Sequence, residues 1–222
     1  MTMVHKMFRR EFGLAGGVVR RVACGDTARA EAVAWHLRFI GEVLHHHHSG
    51  EDHYVWPLLE RRAPSQVSSH VQRVTEQHRR VDALHADVDA ELPIWGASAS
   101  AAAGEKLGAA LDRLATSLVE HMDYEESHVV PVMEAHIGMA EWNDIVKAMT
   151  AELNPDHAML ILGMSMYEAD PDLIERTIGN MPVDMRGGVR CTAALTYAEH
   201  AQLIHGTATP PRSAQIAGSA TG

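Results

Sequence analysis

The sequence predicts an all-α protein: an up-down-up-down four-helix bundle followed by a helical C-terminal extension. Three observations lead there. Apolar residues recur at alternating spacings of three and four through four long segments, as amphipathic helices require. Short stretches rich in Gly, Pro, Asp and Ser separate these segments, so each helix must double back on the last. The second and fourth segments also repeat each other at a shift of 74 residues, which carries His47 onto His121 and Glu51 onto Glu125.

The first helix is expected from Val4 to about Val22, with His5, Phe8, Phe12, Ala15, Val19 and Val22 along its inner face. Gly25-Asp26-Thr27 ends it and caps the next. The second carries Val33, His36, Ile40, Val43, His47, Glu51, Tyr54 and Leu58, with a kink or local unwinding expected between Gly50 and Pro57. Arg62-Ala63-Pro64-Ser65 forms the following loop. The third helix has the cleanest seam, Val67, Val71, Val74, His78, Val81, His85, Val88 and Leu92, and Pro93 to Ser98 is expected to break it. The fourth starts near Ser100 and turns Leu107, Leu111, Leu114, Leu118, His121, Glu125, His128 and Val132 inward. These segments define a bundle over residues 1–138. Residues 139–206 read as a helical extension with a Met-rich segment, and residues 207–222 as a disordered tail.

Antiparallel geometry adds a test of level, because residues equidistant from a loop face each other. His5 and His47 are equidistant from the Gly25-Asp26-Thr27 turn, His78 and His121 from the break near Ala99, and Glu51 and His78 from Pro64. His5, His47, Glu51, His78, His121 and Glu125 are therefore expected at one height, all pointing inward.

Composition narrows the function. The 222 residues carry 29 acidic and 19 basic side chains, a formal charge of −10, which argues against a nucleic-acid partner. No apolar run is long enough to span a bilayer, and the N-terminus lacks the order of a signal peptide. Cys24 and Cys191 form no disulfide framework, so a cytoplasmic protein is expected. The unusual feature is 16 histidines, of which His45, His46 and His53 are expected to face solvent. His36 and His85 lie too far along their helices to share the His47 level.

Four imidazoles and two carboxylates converging in a bundle are the makings of a dinuclear metal site. Two buried carboxylates demand compensating cations or protons, and mixed nitrogen and oxygen ligands suit iron, with manganese as an alternative. Zinc, which prefers four ligands, fits six residues less well. Tyr54, three residues after Glu51, shares the predicted inner stripe and is expected to assist by hydrogen bonding or ligation; a core tyrosine is the other reading. His128 is its repeat partner. Asp82 and His48 are further candidate ligands, with a rim position favoured for His48.

The set His5, His47-His48-x-x-Glu51-Asp52, Glu76-Gln77-His78 and His121-x-x-x-Glu125-Glu126, followed by Val130-Pro131, resembles the hemerythrin-like (HHE cation-binding) proteins over about residues 1–136. The resemblance implies two iron ions, oxo- or hydroxo-bridged, and a small-molecule partner: H2O2, O2 or NO. There are departures. Oxygen-carrying hemerythrins place a second histidine four residues after that of the third helix, where this chain has Asp82. They bridge with one glutamate and one aspartate, whereas here both bridges would be glutamates. A missing imidazole leaves a coordination position open and favours redox turnover, so catalase-like decomposition of H2O2 is the leading expectation. A non-catalytic O2, NO or iron binding protein and a structural zinc bundle are the alternatives.

Overall fold

Helices follow one another from α1 (Thr2–Arg20) through α2 (Thr27–Gly50), a π-helical turn (Glu51–Val55) and α3 (Trp56–Arg62). Next come α4 (Pro64–Ser98), α5 (Ala101–His128), α6 (Val130–His136) and α7 (Met139–Thr150). The chain ends with α8 (Pro155–Met166), α9 (Pro171–Gly179), α10 (Val189–His205) and α11 (Ser213–Ser219). This computed structural model describes residues 1–151 and 153–219, and among them there is no strand.

The chain forms two units, one of residues 11–149 and one of residues 1–10 with 150–222. The first is the bundle, in which α2 packs on α4 and α4 on α5. Its boundary falls later than the expected 138, because α7 up to Met149 belongs to it. Capping follows the sequence: the Asp26 side chain accepts from the Arg29 N–H, and Ser100 accepts from the Ala103 N–H. The Gly25 N–H donates to the Ala99 carbonyl at 3.2 Å, which ties the two turns at that end together.

The α4 seam lies where the spacing puts it: Val67, Val71, Val74, His78, Val81, Val88 and Leu92 are all buried. Two expectations fail here for physical reasons. α4 runs straight through Pro93 to Ser98, and Trp95, only 1% exposed, anchors the added turn against Gly104. The second correction concerns the inner stripe beyond Glu51. A π turn holds one more residue per turn than an α turn, so the stripe passes from Glu51 to Val55 and Leu59 rather than to Tyr54 and Leu58. The second half does the same, from Glu125 to Val129 and Met133 across the junction of α5 and α6.

In the other unit, α8 packs on α10, and Met166, Ile174 and Ala193 form a core joined by Met159, Leu162, Ala169 and Ile178. The first ten residues of the chain supply its central polar anchor. Arg10 is fully buried, paired with Glu168 at 2.7 Å, donating to the Met164 carbonyl at 2.8 Å, and lying against the Tyr167 and Tyr197 rings. Glu168 also accepts from the Ser213 N–H and hydroxyl at 2.9 and 2.6 Å, and the Tyr167 hydroxyl donates to the Pro210 carbonyl at 2.8 Å. The stretch expected to be a disordered tail therefore carries α11 and these bonds; residues 220–222 lie outside the described residues.

Gly163 sets how closely α8 approaches α10. A Cβ there would lie 2.1 Å from the Ala193 carbonyl oxygen, a backbone atom that cannot swing aside. Gly163→Ala is expected to destabilise this unit by about 1–3 kcal/mol, the usual cost of overpacking. Chemical denaturation should show a lower midpoint with an unchanged slope.

Candidate metal centre

Glu51 and Glu125 occupy matching positions in the two halves of the bundle, and both are fully buried. Burial pushes the Glu51 carboxyl well above its ordinary range, and the Glu125 carboxylate facing it adds to the rise. Neither Glu51 oxygen receives a hydrogen bond. His47 Nε2 lies 3.1 Å from Glu51 Oε1, and His78 Nε2 lies 3.6 Å from Glu51 Oε2. His78 Nε2 likewise has no hydrogen-bond partner. Buried carboxylate oxygens without hydrogen bonds are costly in a protein interior unless a proton or a cation compensates them.

His121, fully buried, lies with its Nε2 at 3.6 Å from Glu125 Oε2. Glu51, His121 and Glu125 offer three ligand atoms that all lie within 4.8 Å of one another. A second such trio is His48, His78 and His121. His48 is only 4% exposed, and its ring stacks on that of His78 with centroids 4.0 Å apart. The rim position expected for His48 is thus corrected to a place inside the cluster. Its signal in the sequence was the four-residue spacing from Leu44, which is also buried.

Two outer groups aim the imidazoles. Asp52 Oδ1 lies 3.1 Å from His78 Nδ1, leaving Nε2 to point at the carboxylates. Gln77 Oε1 lies 3.5 Å from His121 Nδ1. A carboxylate on the far nitrogen of a ligating histidine fixes its tautomer and raises its basicity. Asp52→Asn is therefore expected to weaken metal affinity roughly 10–100-fold, because such outer partners typically carry that much. Competition with a chromophoric chelator would measure it.

The other sequence candidates fall as follows. His5 lies on α1 and is fully buried within the unit containing residues 1–10. Tyr54 is 39% exposed and its ring packs edge-on against His53, so the π turn moves it off the inner stripe. His128 is exposed, and Asp82 is exposed on α4. His36 is buried and pairs with Glu11 at 3.4 Å. His85 pairs with Asp89 at 3.1 Å, with its ring over Gly41. Cys24 and Cys191 are exposed free thiols, and no described helix is long and apolar enough to cross a membrane.

A helical bundle whose core gathers imidazoles around two facing carboxylates defines a cation-binding four-helix-bundle protein. The model of the hemerythrin HHE cation-binding domain matches residues 1–152, about two thirds of the chain. The chain belongs to that family. No curated protein and no solved structure matches it.

Proposed function

We propose that the protein is a non-haem di-iron protein acting on O2-derived small molecules, with catalase-like decomposition of H2O2 as its leading reaction. The observation that carries this reading is the pair of buried carboxylates facing each other inside a wall of imidazoles. Glu51 and Glu125 would bridge the two ions. His48, His78 and His121 would hold one ion, and His47 the other, with His5 added on the sequence register alone. Nitrogen and oxygen donors without thiolate suit iron, with manganese next.

When bound, the metal pair supplies the two-electron redox capacity for converting two H2O2 into two H2O and one O2. The protein keeps the donors in place, excludes bulk water from the carboxylates, and orients His78 and His121 through Asp52 and Gln77. The placement of Tyr54 gives its assisting role no support.

A second reading is favoured by one observation. His48 offers the imidazole that the third helix lacks at Asp82, which brings the donor set closer to that of an O2, NO or iron binding protein. Adding H2O2 to protein purified without added metal separates the two. Release of one O2 per two peroxides supports turnover. An iron-loaded protein whose optical spectrum shifts with O2 or NO, but which releases no O2 from peroxide, supports binding. A colourless zinc protein contradicts both.

A further inference from the structure

Along α2, Thr27, Glu31, Trp35, Arg38 and Glu42 recur every three or four residues, so they share one stripe of the helix, and all five are exposed. Beside the stripe, between the first half of α2 and the end of α4, runs a groove of about 550 Å³ lined by Glu31, Ala34, Arg38, Pro93 and Gly96. Trp35 is 42% exposed, and its ring lies flat on that of Phe39 with centroids 5.2 Å apart. Ile94, next to Pro93, is 58% exposed. A tryptophan held in one place yet open to water is the kind of anchor that protein interfaces use. The charges of the stripe are also unspent. Glu31, Arg38 and Glu42 form no ion pair with any described residue. Glu31 and Arg38 stand two turns apart, ~10 Å along the axis, too far to pair with each other.

The order of these residues says what fits them. An identical stripe laid antiparallel, centred between Ala34 and Trp35, brings Glu31 against Arg38 and the Thr27 hydroxyl against the Glu42 carboxylate, because both pairs are centred on that same point. A parallel pairing would instead set glutamate on glutamate and arginine on arginine. The stripe is thus complementary to itself in one orientation and one register, which is what a two-fold interface demands: every contact is made twice, once from each side. We propose that this face is where two copies of the chain dock, antiparallel along α2 about an axis beside Trp35, with Glu31 of each copy paired to Arg38 of the other. Trp35 then lies at the centre of the contact, where binding energy concentrates, and the charged pairs flank it and fix the register.

Sedimentation of the full chain over a range of concentrations decides it, with circular dichroism to show that each variant stays helical. The parent is expected to be a dimer that dissociates on dilution. Glu31→Arg sets arginine against arginine at both ends of the contact and is expected to weaken the dimer at least ~100-fold, because like charges face to face are strongly disfavoured at an interface. Arg38→Glu is expected to do the same. The double variant Glu31→Arg with Arg38→Glu restores the pairing in reverse and is expected to return to within about tenfold of the parent. Trp35→Ala removes the anchor and is expected to weaken association roughly 30-fold. A parent that stays monomeric at the highest concentration, or a dimer that Glu31→Arg leaves intact, overturns the proposal. So does a helical double variant that remains as weak as the single ones, since the two charges then do not face each other.

Discussion

Raising the pH is expected to destabilise the metal-free protein and to leave the metal-loaded protein far less affected. Glu51 carries the argument. Its carboxyl is held well above the ordinary value of 4.5 by burial and by Glu125, so the folded chain keeps a proton that the unfolded chain has already released. The folded state then binds more protons than the unfolded one, and stability must fall as pH rises. The contribution is fully present below about 4.5 and is lost as pH climbs through the raised value. A bound cation compensates the same carboxylate, which removes the reason for keeping the proton. Thermal unfolding of chelator-treated and metal-loaded samples across mildly acidic to neutral pH should give two diverging curves. Parallel curves would mean that Glu51 is compensated by something other than metal.

Replacing both facing carboxylates, Glu51 and Glu125, is the second large effect. Glu51→Gln with Glu125→Gln keeps volume and shape but removes both anionic ligands. Metal affinity is expected to fall by far more than the ~100-fold that outer partners typically carry. At neutral pH the metal-free variant should be more stable than the metal-free parent, because its amides stay neutral without holding a proton that the unfolded chain releases. It should also lose most of the pH dependence just described. Added metal would raise the midpoint of the parent, since a ligand that binds only the folded state stabilises it by mass action, and would leave the variant where it was. A double variant less stable than the metal-free parent would show that the two carboxylates hold the bundle together without metal.

How far these features were legible in the chain depends on what encodes them. The α4 seam was readable residue by residue, because a straight helix keeps one period and each valine reports the same face. The internal repeat did the same for His47, Glu51, His121 and Glu125, all of which the structure carries into the interior or to its edge. The path beyond Glu51 was not read correctly. The π turn changes phase by one residue, and Gly50 and Pro57 announced a disturbance without giving its size. The better signal was the apolar pair Val55 and Leu59, matched at the same shift by Val129 and Met133. Arg10 escaped notice because a buried arginine has no periodic signature; its partners Met164, Tyr167, Glu168 and Tyr197 explain it. Pro93 misled for the opposite reason, since packing of Trp95 outweighs the local preference to stop.

In the proposed site, Glu51 and Glu125 share a metal pair with the surrounding imidazoles. Elemental analysis of the full-length protein, purified without added metal and quantified by amino-acid content, tests it most directly. Two redox-active metal ions per chain in the parent, and none in Glu51→Gln with Glu125→Gln, is the predicted result. A folded parent that carries no metal, or a double variant that retains both ions, would contradict it.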